Sequence, residues 1–395
     1  MRTVEEHQQV VAGLISARPA VTVPLADALG LALADDVVAP LSLPGFDNSA
    51  MDGYAVLAAD VAAASADNPV KLPVAEDIPA GRTDLLTLAP GTAHRIMTGA
   101  MLPAGATAVV PVESTDAATD IVSIFSSSSE GRHIRRAGED VTAGMTVLPA
   151  GEVLSPAALG LAAALGFAEL KVIPRQRVLV LSTGTELVTP GTPLQPGQIY
   201  ESNAVMLAAA LREAGADVTT APATSDDVAL FRETLADHAK DVDLIVTTGG
   251  VSAGAYEVVK DALSGDVEFV KVAMQPGMPQ GAGTVNGTPI ITLPGNPVSA
   301  LVSFEVFIRP PLRAAMGLTA ERPRRSATLT EKLTSPAGKR QFRRGVVGTD
   351  DEVSSYGPPA SHHLRWLATA NCLLDIGEDV VELAAGSPVP IWDLS

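Results

Sequence analysis

The sequence predicts a multidomain α/β chain: a parallel α/β domain, a helical or mixed domain, a small β-rich inserted domain and a C-terminal β-barrel domain. Three observations carry this expectation. At 395 residues the chain exceeds what one compact core holds. Between residues 177 and 315, apolar strand-like runs alternate with helical patterns, which implies a parallel sheet covered on both faces. On either side, the pattern breaks into short apolar runs separated by turn residues.

The opening "TVEEHQQVVAGLI" and the apolar "PAALGLAAALGF" at 156–167 bracket a turn-rich stretch. They are expected to build one helical element, discontinuous in sequence, with residues 1–45 and 131–172 as its domain and 46–130 as the insert. In the α/β domain, 173–319, "RVLVLST" is the first strand. Asn203 is read as the cap of a helix running to Glu213, ended by Gly215. "ADVTTAP" is the second strand. Asp226 or Asp227 opens a helix with Val228, Phe231 and Leu235 on one face. "DLIVTTGG" is the third strand, "AYEVVKDALSG" a helix, "VEFVKVAM" a strand, and "TPIITLPGNP" leads into "VSALVSFEVFIRPPL", a helix ending near the paired prolines. After "AERPRRS", residues 320–395 show short alternating strands with frequent glycine, which fits a small barrel or sandwich.

Bulk properties exclude several function classes. The chain is 47 % hydrophobic and 18 % charged, a globular balance. A formal net charge of −18 argues against nucleic acid and anionic membranes as partners. The single cysteine, Cys372, permits no intrachain disulfide and fits a reducing compartment. The acidic start does not read as a signal peptide, and no apolar run is long enough to span a bilayer. A cytoplasmic location is the expectation.

In parallel sheets of this kind, ligands bind outside the carboxyl ends of the strands. Those ends read "STGTE", "TTGGVSAG" and "LPGNPVS", three glycine-bearing turns on one edge. Such turns can cradle phosphate, because backbone N–H groups and helix N-termini point at an anion. Nearby carboxylates are Glu186, Glu201, Asp226, Asp227 and Glu257, and with a phosphate ligand they would suit Mg²⁺. "PGFDNSAMDGYAV" places Asp47, Asn48, Ser49 and Asp52 within six residues, and Thr98 ends an apolar run before Gly99. Arg132, Arg135 and Arg136 form a candidate phosphate clamp, and Lys339, Arg340, Arg343 and Arg344 a second basic cluster. The histidines have no zinc-like spacing, and neither a nucleophile elbow nor a dinucleotide fingerprint is present.

"FDNSAMDGYAV", "MTGAMLPAGATAVV", "RRAGED", "LSTGTEL", "GQIYESN", "TTGGVSAG", "LPGNPVSA" and "ASHHL" occur in that order. Over essentially its whole length the chain resembles the MoeA-type molybdopterin molybdenumtransferases, related to the E domain of gephyrin and to the plant insertase domain. Residues 173–319 resemble the MogA-like molybdopterin-binding fold. The resemblance implies a four-domain subunit in a homodimer, with an active site between the MogA-like domain of one subunit and parts of the other. It implies that molybdate is inserted into adenylylated molybdopterin and that AMP leaves with help from Mg²⁺. A MogA-like adenylyltransferase is an implied partner.

Carried over, Asp52, Asp140, Glu186 and Asp226 are the expected catalytic residues, with Glu186, Asp226 and Glu257 as metal ligands. Thr98, Thr183, Gly184, Ser202, Gly249, Gly250, Ser252, Glu257, Pro294, Gly295 and Asn296 are expected to bind substrate. Lys271, Ser299, Arg344 and Ser361 are expected to face molybdate. Three departures stand out: "GAYE" where relatives read "GDYD", "QPGMP" where they read "KPGKP", and Thr185 and Glu201 where Asp is common. Gln275 and Met278 thus replace two cations, each charge-assisted hydrogen bond being worth about 1.5–3 kcal/mol. The alternative they raise is a non-catalytic cofactor carrier or scaffold, and the choice between molybdenum and tungsten stays open.

Overall fold

The computed structural model describes residues 1–221, 227–251 and 258–394. They form two compact units, one of residues 1–23, 30–34 and 171–395, the other of 24–29 and 35–170. Among the described residues, no helix is long and apolar enough to cross a membrane.

Helix α1 (Val4–Leu14) starts on a capping box: Glu6 N–H donates to Thr3 Oγ1 at 3.1 Å, and Thr3 N–H to Glu6 Oε2 at 2.8 Å. The face carrying Val4, His7 and Val11 is buried in the first unit. The helix at 156–167 belongs to the second unit, so the two do not build one helical element. The capping box and this buried face tie α1 to the sheet domain it packs on.

The second unit contains a five-stranded sheet of β1 (Gly53–Val56), β2 (Val70–Ile78), β3 (Ala93–Ile96), β4 (Ala108–Pro111) and β5 (Ile121–Ile124), in the order β4-β1-β3-β2-β5. Gly53 permits the β1–β4 contact, since a Cβ there would lie 2.0 Å from Val110 O. Helix α2 (Pro156–Ala164) is capped by Ser155.

In the first unit, β6 (Arg177–Ser182), α3 (Asn203–Glu213), β7 (Asp217–Thr220), α4 (Val228–Ala239), β8 (Leu244–Thr248), α5 (Val258–Leu263), β9 (Val267–Lys271), β10 (Pro279–Val285) and β11 (Thr288–Leu293) follow in order. The sheet runs β7-β6-β8-β11-β10-β9. The first four strands are parallel, but β10 is antiparallel to both β11 and β9. The sheet is therefore mixed rather than wholly parallel. Val178, Val180, Val246 and Ile291 bury one face under α3, and Leu179, Leu181, Ile245 and Ile290 the other with Phe231 and Val259. The expected strand 267–274 stops at Lys271, and Met274–Gln275 pair instead with Arg340 and Gln341.

The helix after β11 does not end at its prolines. It runs as α6 (Pro297–Ser303), a π turn (Phe304–Ile308) and α7 (Arg309–Ala315). Pro310 offers no N–H to the carbonyl of Val306, which instead accepts from Gln8 Nε2 of α1 at 3.1 Å. Beyond it, β12 (Arg324–Leu329), β13 (Arg340–Val347), β14 (Glu352–Ser355), β15 (Cys372–Ile376) and β16 (Pro388–Asp393) pair in a ring, β13-β14-β12-β16-β15-β13. This closes the five-stranded barrel and settles the choice left between barrel and sandwich. Cys372 lies in its core, where burial pushes the thiol up to about 12.

His7 is fully buried, edge-on to Phe307 with ring centroids 4.7 Å apart. Burial, with Arg2 adding to it, lowers its pKa from 6.5 to about 4. The unfolded chain thus takes up this proton first. The stability associated with neutral His7 is complete above pH 6.5 and is lost as pH falls towards about 4. Between pH 7 and pH 4 the wild type is expected to lose about 3 kcal/mol more than His7→Phe, measured by urea unfolding at each pH.

Candidate active site

Three turns meet at the carboxyl edge of the first unit's sheet. Thr183 N–H donates to Thr248 O at 3.1 Å, and Gly249 N–H to Leu293 O at 3.2 Å, so the strands stay laced to the point where the turns begin. Their backbones then approach closely. A Cβ on Gly249 would lie 2.7 Å from Thr183 O, and one on Gly295 3.4 Å from Gly249 Cα. Gly249 and Gly250 adopt φ of +92° and +63°, and a Cβ on Gly250 would meet Val259 at 2.8 Å. No hydrogen bond among the described residues takes up the N–H of Gly184, Gly295 or Asn296, which leaves donors for an anion.

The first turn continues into exposed Glu186, whose carboxylate folds back over Gly184, 2.7 Å from where a Cβ would stand. Asp226, Ser252 and Glu257 lie outside the described residues. Ser202 occupies the N-cap position of α3, and Asn203 is the first helical residue rather than the cap. The capping carboxylate is that of buried Glu201, which accepts from Ala204 N–H at 2.9 and 3.0 Å and from Ser182 Oγ at 2.9 Å. One carboxylate thereby joins the end of β6 to the start of α3.

Asn296 occupies the N-cap position of α6 without a side-chain cap bond, and Ser299 is buried within its first turn. Val298 N–H donates to Ser361 O at 3.1 Å, bringing Ser361 beside Ser299. Arg344, buried on β13, holds the same segment by donating to His363 O at 2.8 Å and to Pro358 O. Burial draws its pKa below the usual arginine value, and Arg343 adds to that. Gln275 accepts from Gln341 Nε2 at 3.0 Å, forming a neutral amide wall. The cavity among Gln275, Val298, Gln341, Arg344 and Tyr356 measures about 10 Å³, room for one water. Lys271 is exposed at the end of β9, and no hydrogen bond or ion pair among the described residues joins its side chain to this group. Of the second basic cluster, Arg340 is committed to Asp375 and Glu5.

In the second unit, three motif segments converge. Asn48 and Ser49 pair with Arg135 and Ile134, Gly99 N–H donates to Ser49 O at 2.8 Å, and Leu102 N–H to Asp47 O at 2.9 Å. Asp52 Oδ1 accepts from both Thr98 N–H at 2.7 Å and Thr98 Oγ1 at 2.8 Å. The backbone bond first, then the hydroxyl, hold the Asp52 carboxyl below its ordinary range, so it is ionised and exposed. Asp140 is exposed on the same group of loops, its N–H bonded to Leu43 O. Arg136 is not free to clamp phosphate, because it pairs with Asp47 at 2.5 Å.

Residues 2–166 match the MoeA N-terminal region (domain I and II), 179–314 the probable molybdopterin binding domain, and 326–394 the MoeA C-terminal region (domain IV). The chain is 67 % identical to molybdopterin molybdenumtransferase 2 of Mycobacterium tuberculosis, covering 100 % of both chains. It belongs to the MoeA family of molybdopterin molybdenumtransferases. It is an enzyme of molybdenum cofactor biosynthesis. Molybdopterin molybdenumtransferase 1 of the same organism is 38 % identical over 99 % of this chain and 98 % of its own. A solved molybdopterin biosynthesis MoeA protein from Pyrococcus horikosii superimposes with a TM-score of 0.84 at 30 % identity, covering 100 % of this chain and 99 % of that one.

Within this MoeA-family enzyme, sequence reasoning located the turns but missed what ties them together. Of the carboxylates near the strand ends, Glu201 serves as a buried helix cap. Asn203 was read as a cap and instead reaches across to two other turns. The available signal was the adjacency of "ESN" to the first strand-end turn, with a carboxylate and an amide in succession.

Proposed function

We propose that this MoeA-family enzyme, as a cytoplasmic homodimer, inserts molybdenum from molybdate into adenylylated molybdopterin and releases AMP with the help of Mg²⁺. The observation that carries this reading is the convergence of three turns with donors left for an anion and no room for a Cβ between them. A phosphoanhydride and an oxyanion both need fixed N–H donors and cations where charge develops.

In this reading Thr183, Gly184, Ser202, Gly249, Gly250, Ser252, Glu257, Pro294, Gly295 and Asn296 hold the adenylylated pterin, and Thr98 orients Asp52. Asp52, Asp140, Glu186 and Asp226 are the working carboxylates. Ser299, Ser361, Arg344 and Lys271 face molybdate, with Arg344 still able to offer N–H groups beyond those given to carbonyls. Glu186, exposed beside Gly184, fits Mg²⁺, which takes one or two carboxylates, waters and substrate oxygens. Asp226 and Glu257 would complete that set. When bound, Mg²⁺ supplies charge neutralisation at the phosphate oxygens. A MogA-like adenylyltransferase supplies the substrate.

Purified protein given adenylylated molybdopterin, molybdate and Mg²⁺ is expected to release AMP in proportion to cofactor formed, and chelation of Mg²⁺ to stop it. Retention of the pterin with no AMP release at any molybdate concentration overturns the proposal and fits a carrier instead.

A further inference from the structure

We infer that Asn203 is the positioning residue that fixes the spacing of the strand-end turns for their anionic ligand. The ligand's identity rests on the function proposed above; the clamp itself rests on geometry alone. Asn203 Nδ2 donates to Thr248 Oγ1 at 2.9 Å and to Gly295 O at 2.7 Å. One amide nitrogen thus bridges the second and third turns. Gly295 O is a carbonyl and can only accept, so chemistry fixes which end of the amide faces it. Two residues earlier, Glu201 bridges Ser182, at the first turn, to the α3 N-terminus. The segment 201–203 therefore reaches all three turns from one short piece of chain.

The turns need such a clamp. The last ladder bonds between these strands are at Thr183 and Gly249, and beyond them the chain passes through glycines at positive φ, where many conformations are open. Close packing of Gly295 on Gly249 limits approach but does not prevent separation. Two donors on one nitrogen, at the end of a short side chain, oppose that separation. The choice carries a cost in stability: Asn203 Oδ1 is buried without a partner among the described residues. The amide nitrogen spends both its N–H donors on the two turns, and no described residue answers the oxygen.

The test compares wild type with Asn203→Asp, which swaps the two donors for acceptors at constant shape and adds a negative charge, and with Thr248→Val, which removes one acceptor without changing charge and so isolates the clamp from charge repulsion. In ligand-free protein, amide hydrogen exchange is expected to rise about tenfold at Thr183 and Gly249, whose N–H groups make the last ladder bonds, in Asn203→Asp, and less in Thr248→Val. AMP, titrated by calorimetry, is expected to bind about tenfold more weakly to Asn203→Asp. KM for the adenylylated substrate rises with it, and kcat changes less. Unchanged exchange at these amides overturns the clamp, even where affinity falls, because Asn203 would then touch ligand rather than position turns. Faster exchange with unchanged AMP affinity overturns the link to the ligand. Should Asn203→Asp fail to fold, Thr248→Val decides by the same criteria. Wild-type protein that binds no AMP counts against the proposed function, and the exchange comparison still judges the clamp.

Discussion

Gly249→Ala is expected to lower kcat/KM about a hundredfold or more, since a displacement near 1 Å at a substrate-positioning loop has an effect of that order. The substitution is small but doubly opposed. Its φ of +92° disfavours any side chain, and the new Cβ would lie 2.7 Å from Thr183 O and 3.0 Å from Thr183 Oγ1. Both neighbours belong to the first turn, so the second must move away from it to make room. The amides of both turns then lose their common aim. The φ strain by itself is expected to lower stability by about 1–3 kcal/mol. Gly287→Ala separates the two effects. It has φ of +85° in the hairpin that starts β11, at the opposite end from Pro294, with nothing within 4 Å of its Cβ. It is expected to show the stability loss with near-normal kcat/KM. A Gly249→Ala enzyme retaining half or more of wild-type kcat/KM would show that the spacing of these turns does not matter to catalysis.

What the sequence disclosed depended on how far apart the interacting residues stand. The turns at Thr183, Gly249 and Gly295 were legible because strand and helix periods set them at one edge. Strand β10 (Pro279–Val285) is not, since its glycines give no apolar period to mark a strand. They are there for close approach: a Cβ at 281 would meet Thr292 Oγ1 at 2.1 Å, and one at 283 Asp266 O at 2.0 Å. The helix through Pro310 and Pro311 was hidden for a similar reason, since its rescue comes from Gln8, 298 residues away. Of the arginines in 132–136, Arg136 looked like part of a phosphate clamp until its partner Asp47, 89 residues earlier, was placed beside it. Asn203 meets Thr248 and Gly295 at separations of 45 and 92 residues, beyond any local pattern. Local chemistry places the three turns, and tertiary contacts decide what each side chain does there.

Glu305→Ala is expected to lower the unfolding free energy by about 3–5 kcal/mol, the range for removing one partner of a buried ion pair. Glu305 sits in the π turn with 3 % of its side chain exposed, and its two oxygens accept from Arg322 Nε at 3.0 Å and Nη2 at 2.9 Å. Arg309 stands 3.7 Å away on the same side chain and is itself nearly buried. Burial already draws the Arg309 guanidinium below its ordinary value, with Arg322 adding to it. Removing the carboxylate leaves two cations facing each other with Glu213, more than half exposed, as the remaining counter-charge on Arg322. The loss is read from the urea midpoint at unchanged m-value. The double variant Glu305→Ala, Arg322→Met is expected to recover part of it, because one of the two stranded charges is removed while Arg309 keeps its own. This pair also bears on the site. The π turn continues the helix that starts after Asn296 and carries Ser299, so, on the function proposed above, a loosened turn is expected to raise KM for molybdate before the protein unfolds. A single variant that loses under about 1 kcal/mol would mean that water reaches Arg322 and Arg309 and screens them as it does at a surface.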